Sequence, residues 1–277
     1  VTSAAMTAKR PRRSTPRAKT RVHPSAIVHP GATLGAGVVI GPYAVLGEQV
    51  TIGPRTTVGA HCVLEGRTTI GADCELFTGA VVGSIPQDLK YQGEASELIL
   101  GDRNKVREYV TINPGTAGGG GKTVIGSDCL LMAYAHVAHD CHIGTHVVIA
   151  NSAALAGHIL VEDRAVVGGL VGIHQFVRVG TLAIIGGCSR VIQDVPPYAT
   201  CVGYPAKVFG VNAEGLRRTG ATKETKERLH HAFRILFHSG LSVRHALEEL
   251  AQDADHCPEI QHLLEFVRQS KRGVCRA

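Results

Sequence analysis

His136, His139, His142, His146, His158 and His174 crowd one short stretch of a 277-residue chain. Imidazole does acid–base work near neutral pH and is also the commonest metal ligand, so this density offers two chemistries. In one, a histidine acts as general base. His139 suits that role, because Asp140 follows it and can fix its tautomer and raise its basicity. In the other, the spacing His136-x-x-His139-x-x-His142 supplies three ligands for zinc. A third reading keeps His136, His142 and His146 as exposed turn residues of a scaffold without chemistry.

What positions these residues is a repeat. Every sixth residue from Val22 to Val82 is Val, Ile or Leu. The beat returns at Leu100, Val106 and Ile112, and again from Ile125 to Val191. Six fits neither the 3.6 of a helix nor simple alternation, and it is the signature of a hexapeptide β-helix. Gly often follows the aliphatic (Gly41, Gly53, Gly71, Gly126), and a small residue often stands four after it (Ala44, Cys62, Cys141). The pattern predicts a triangular coil with aliphatics filling it and glycine relaxing the backbone at each turn. Three hexads make one turn, so residues 18 apart should stack about 4.8 Å apart on neighbouring coils.

That rule sorts the histidines. Position 139 lies beneath 157, and 157 beneath 175. His139, the Gly157-His158 pair and the His174-Gln175 pair therefore form one column on one edge. A base beside a backbone glycine, whose N–H can hold an oxyanion, is a catalytic kit. The zinc reading weakens by the same rule. His136 and His142 face alike on adjacent sides of the triangle, which points them apart.

The coils are expected over 22–197, with a basic tail at 1–21 and a helical domain at 198–277. Two insertions interrupt them. The first, Gly83 to Ile99, holds Pro86-Gln87-Asp88-Leu89-Lys90-Tyr91, and the second holds the glycine run 118–121. Insertions in solenoids project as loops and commonly carry binding function. Beyond Pro196-Pro197, an irregular stretch (Tyr198 to Asn212) precedes three helices. Thr222 caps the first to about Ser239, Ser242 caps the second to about Ala254, and Pro258 opens the third.

Composition narrows the classes. No apolar stretch reaches transmembrane length, so stable membrane insertion is not expected. Lys9, Arg10, Arg12, Arg13, Arg17, Lys19 and Arg21 put seven positive charges in the first 21 residues, and the remainder nets −1. The tail reads as a solvated, disordered leader; an Arg- and Ser/Thr-rich transit peptide is the alternative, and no nucleic-acid role is expected. Eight cysteines include no C-x-x-C, and Cys62, Cys74, Cys129 and Cys141 fall in the small inward slot. Buried reduced thiols and a cytoplasmic setting follow.

The chain also resembles the bacterial UDP-N-acetylglucosamine acyltransferases, which begin lipid A synthesis. The likeness runs from about 22 to 277. It is carried by Pro86-Gln87-Asp88-Leu89-Lys90-Tyr91, by Ala135-His136-Val137-Ala138-His139-Asp140-Cys141 and by Leu155-Ala156-Gly157-His158. His174-Gln175-Phe176, Asp194-Val195-Pro196-Pro197-Tyr198 and Gly210-Val211-Asn212 add to it. The resemblance implies a left-handed β-helix and a homotrimer with active sites between subunits. It implies a 3-hydroxyacyl group passing from acyl carrier protein to the 3-hydroxyl of UDP-N-acetylglucosamine, with no metal or cofactor.

On that resemblance His139 is the general base, Asp140 orients it, and the Gly157 N–H holds the oxyanion. Gln87, Asp88, Lys90, His136, His158, His174 and Gln175 match substrate-contacting positions. Asn212, Glu214 and Arg218 match positions near the nucleotide and the acyl-carrier arm. Gly187 matches the position that limits acyl length, and glycine there implies a long chain. Arg217, Arg218 and Lys223 form an expected docking patch for the acidic carrier protein. Pro114 and Thr219 depart from the family's basic residues and bear on phosphate contacts. Competing readings are the sister N-acyltransferase on a 3-amino sugar nucleotide, a zinc-binding hydratase like the γ-class carbonic anhydrases, and the non-catalytic scaffold.

Overall fold

A computed structural model describes residues 19–251 and 257–277. Most of the tail expected at 1–21, and the end of the second helix expected at Ala254, lie outside the described residues. From Arg21 to Val191 the chain winds as a left-handed β-helix. Among the described residues its short strands stack in parallel into three sheets of eleven, nine and eight strands, the largest ending in an antiparallel hairpin. Register follows the predicted winding: Val22 pairs with Ile40, Val137 with Leu155, and Leu155 with Ile173. Insertions lengthen the step without breaking register, as where Leu76 pairs with Val106.

The repeat aliphatics form the core. Ile52, Leu64, Ile149 and Leu155 are buried, and so are the thiols of Cys62, Cys74, Cys129 and Cys141. Burial disfavours thiolate, lifting Cys129 to about 11 and Cys141 to about 12, so these are inert fillers. Val22, Val28 and Leu34 in the first coil are less covered, because no described coil lies beneath them.

The turning device is not the one expected. Most repeat glycines stay out of the left-handed region, and along the unbroken coils the left-handed residue is the third after the aliphatic. From Asp128 through Asp140 and His158 to Cys188, every sixth residue has φ of 56–64°, and none is glycine. An L residue there costs roughly 1–2 kcal/mol, which the stacked core offsets. Gly is needed one residue after the aliphatic because adjacent coils touch there. A Cβ on Gly53 would lie 2.5 Å from the Gly71 carbonyl carbon, and one on Gly71 would lie 2.6 Å from that of Gly101.

The stretch expected to be irregular is a β-hairpin, Ala199–Gly203 against Ala206–Val211, whose first strand still stacks on Ile184–Ile185. Among the described residues four α-helices follow: α1 (Ala213–Arg218), α2 (Lys223–His238), α3 (Val243–Ala251) and α4 (Pro258–Arg268). The short α1 was not anticipated; Thr222 caps α2 and Pro258 opens α4 as expected. Buried Asp194 accepts from Arg178 N (2.8 Å) and Ser270 Oγ (2.7 Å), fastening the C-terminal segment to the last coils.

Candidate active site

Strand His136–Val137 ends one face of the triangle, and His139-Asp140 form the corner that follows. Asp140 takes the left-handed conformation that turns its carboxyl back under the coil. Its side chain is closed to solvent, whereas 13% of His139's is exposed. The His139 Nδ1–H donates to Asp140 Oδ2 at 2.8 Å, which leaves Nε2 as the basic nitrogen. Thr116 supplies two more donors to the same carboxylate, its N–H to Oδ1 (2.8 Å) and its hydroxyl to Oδ2 (2.7 Å).

The predicted column exists. A Cβ on Gly157 would fall 2.6 Å from His139 Cε1 and 2.7 Å from Nε2, so the imidazole is seated directly on this glycine's backbone. The adjoining carbonyls are engaged: His158 N donates to His139 O and Phe176 N to Gly157 O. The Gly157 amide lies outside the ladder. Among the described residues, no backbone carbonyl accepts the N–H two places after any repeat aliphatic. Pro42, Pro54 and Pro114 fill this slot in other coils, where a missing donor costs nothing. At Gly157 the unclaimed amide is available to a ligand.

His158 meets His139 edge-on at 5.1 Å and stacks on Phe176 at 4.5 Å. Burial, the largest influence, holds its pKa below the ordinary imidazole value. His158 and Phe176 line a groove of about 760 Å³ with Asp88, Lys90, Glu94 and Thr116. Asp88 there accepts from Lys90 N at 3.0 Å, and Lys90 is exposed. Glu94 ties the two insertions together, accepting from Gln92 N (2.8 Å) and Ala117 N (3.1 Å). Phe176 was reachable by adding 18 to His158, but Thr116 and Glu94 lie in insertions that the repeat does not index.

Other predicted residues lie elsewhere on the chain. His136 is on the flat face, its ring nitrogen Nδ1 2.7 Å from the Thr111 hydroxyl, with its pKa lowered by burial and then by His139. It shares a second groove with His174 and Arg190. The His174 Nδ1–H donates to Gln175 O at 3.1 Å, and Gln87 and Gln175 are exposed. Gly187 sits at the preceding corner, stacked over Gly169, across that face from His139. Asn212 caps α1 by accepting from Gly215 N and donates to Leu182 O (2.8 Å), a tether to the coils. Glu214 pairs with both Arg217 and Arg218, which hold its carboxyl at about 2. Two thirds of the predicted docking patch is thus engaged within α1.

His136 and His142 stand on strands of different sheets, so the zinc trio considered from spacing does not converge. His139, Asp140 and His158 do bring ligand atoms within 4.8 Å of one another. Yet Asp140 already accepts three hydrogen bonds, two of them from Thr116, an environment built to hold a carboxylate beside an imidazole. The arrangement suits a base with its orienting acid, next to a free amide.

Known proteins with the same architecture place this site in context. Residues 194–275 match a family model described as UDP N-acetylglucosamine O-acyltransferase, domain 2, and residues 122–157 match the bacterial transferase hexapeptide repeat. The acyl-[acyl-carrier-protein]–UDP-N-acetylglucosamine O-acyltransferase of Myxococcus xanthus is 54% identical over 92% of this chain and 99% of its own. The namesake from Aliarcobacter butzleri is 46% identical over 91% and 97%. A crystal structure of the UDP-N-acetylglucosamine acyltransferase of Bacteroides fragilis superposes with a TM-score of 0.89, at 40% identity, over 92% of this chain and all of that one. Identity of this order along nearly the whole length, on the same coils, makes this chain a member of the UDP-N-acetylglucosamine O-acyltransferase family.

Proposed function

We propose that His139, Asp140 and the Gly157 amide carry an acyl transfer from the thioester of acyl carrier protein to the 3-hydroxyl of UDP-N-acetylglucosamine. The enzyme is an O-acyltransferase, as its relatives' names state for them, and acts at the first step of lipid A synthesis. His139 Nε2 takes the hydroxyl proton while the oxygen attacks the thioester carbonyl. Asp140 holds Nδ1–H and stabilises the imidazolium that forms. The oxyanion accepts from Gly157 N–H, a contact of a kind worth about 3–4 kcal/mol. Collapse breaks the C–S bond, and the imidazolium returns its proton to the departing thiolate. The enzyme itself is never acylated. No metal is required, since the chain supplies both proton removal and charge stabilisation. The single observation carrying this reading is the imidazole seated on Gly157 and bonded to buried Asp140.

Asp88, Lys90 and His158 border the groove side of this column, and with exposed Gln87 next to Asp88 they are assigned to the sugar and its diphosphate. The distance across the flat face from His139 to Gly187 favours a homotrimer, in which a neighbour's groove joins the two. Tyr43, Tyr109, Tyr134 and Leu170, all exposed on the Gly187 corner, are suitable contacts. His136, His174, Gln175, Asn212, Glu214 and Arg218 then reach the substrate as part of that shared cleft. Eight free cysteines, seven of them buried, fit a cytoplasmic enzyme. Among the described residues, no helix is long and apolar enough to cross a membrane.

The test is product analysis with 3-hydroxyacyl carrier protein and UDP-N-acetylglucosamine in buffer containing a chelator. An alkali-labile ester at the 3-oxygen is expected. Product only with a 3-amino acceptor, or none until zinc is restored, would reject the assignment. Chain length is expected to depend on Gly187. A Cβ there would meet only the Gly169 backbone, its O at 3.2 Å and its N at 3.9 Å, so a side chain fits with a small adjustment and projects into open space. Gly187→Met is expected to shift preference toward shorter donors by several carbons, read by competition between acyl chains. Unchanged selectivity would remove Gly187 as the length limit.

A further inference from the structure

Thr116 is engaged by none of the roles assigned above, yet it makes more hydrogen bonds to Asp140 than His139 does. We infer that Thr116 is a positioning residue for the transfer, its hydroxyl and amide holding the Asp140 carboxylate in the one orientation that directs His139 Nε2 outward.

The glycine-rich insertion makes sense in these terms. Asp140 would meet solvent on a corner of a bare β-helix, as exposed Asp73 and half-buried Asp128 do at equivalent turns, where each pairs with an arginine. Here Thr116 and the following glycines lie across it instead. A Cβ on Gly119 would fall 2.0 Å from the Asp140 carboxyl carbon, so only glycine lets the loop approach this closely. Thr116 itself is buried, and its carbonyl accepts from Gly119 N and Gly121 N, closing the loop into a tight turn. Glu94 holds the far side through Ala117 N. The result is an anion with no solvent exposure, satisfied by a neighbouring hydroxyl and amide in place of a cation. Such a carboxylate is held facing the imidazole and cannot swing away.

The inference rests on the reading of His139 as base, and its test separates the two. Thr116→Val keeps the volume and the backbone donor and removes only the hydroxyl. Thr116→Ser restores it. Expected for Thr116→Val is a fall in kcat of about tenfold or more, with KM for both substrates within about twofold. Thr116→Ser is expected to recover most of that loss. A valine variant with wild-type kcat, or a serine variant as impaired as the valine one, overturns the role of Thr116 while leaving His139 untouched. Full turnover in His139→Ala would overturn both. Should Thr116→Val not fold, Gly119→Ala reports on the same clamp: lost kcat at unchanged KM supports it, and unchanged kcat overturns it.

Discussion

Acyl transfer by His139→Ala is expected to fall by about 10²–10⁴ in kcat, with KM for UDP-N-acetylglucosamine changed by no more than about threefold. The ring leaves a partly open corner, not a packed core, since 13% of the side chain meets solvent. Folding should therefore survive, and a thermal scan beside the steady-state assay checks it. The residual rate would come from bound, oriented substrates and the Gly157 amide. Wild-type turnover in this variant would end the general-base assignment. His139→Gln, which can hydrogen-bond but accepts no proton at neutral pH, should be nearly as slow. That result would separate basicity from contact.

Gly157→Ala carries the second large effect, and for a different reason. The added methyl would lie 2.6 Å from His139 Cε1 and 2.7 Å from Nε2, closer than non-bonded carbon and nitrogen approach. The ring must swing aside or the coils must part. Overpacking of this sort costs roughly 1–3 kcal/mol, and displacing a catalytic group by about 1 Å can cost about 10²-fold in rate. A kcat near 1% of wild type is expected, with a lowered melting temperature. An unimpaired variant would mean that the imidazole is not seated there. The oxyanion donor itself can be examined where the clash is absent. In a His139→Ala background, Gly157→Pro deletes the amide in a slot that proline occupies at positions 42, 54 and 114. A further drop of about 10²–10³ in the residual rate is expected if that amide holds the oxyanion. No further drop would assign the charge to another donor.

Both effects follow from a contact that spacing alone predicted, and the way it did so shows the reach of such reasoning. An eighteen-residue period converts sequence distance into space wherever coils follow one another without interruption. It puts 157 over 139, and it would have put Phe176 over His158 had it been applied there. The same arithmetic fails for Thr116, 24 residues before Asp140 and inside an insertion whose path the period does not describe. Glu94 is missed for the same reason. Glycine was misread more subtly. Its abundance after each aliphatic suggests turning, but a chain cannot reveal from composition whether glycine serves a positive φ or a close approach. Only the 2.5 Å from a Gly53 Cβ to the next coil separates them. The hairpin at Ala199–Val211 escaped because it lies past the six-residue repeat and holds glycines at 203 and 210, whereas the Thr222 cap of α2, the Pro258 start of α4 and the apolar stripes of both announce a helix.

The chain alone therefore determined the coiled architecture, the aliphatic interior, the buried thiols and the meeting of His139 with Gly157. All of these depend on repetition, and repetition is local information multiplied. Tertiary structure decided what closes over Asp140 and that Asn212 ties α1 to the coils. Those outcomes depend on where non-repeating loops come to rest, and that is set by packing and hydrogen-bond satisfaction across the whole fold, not by any spacing along the chain.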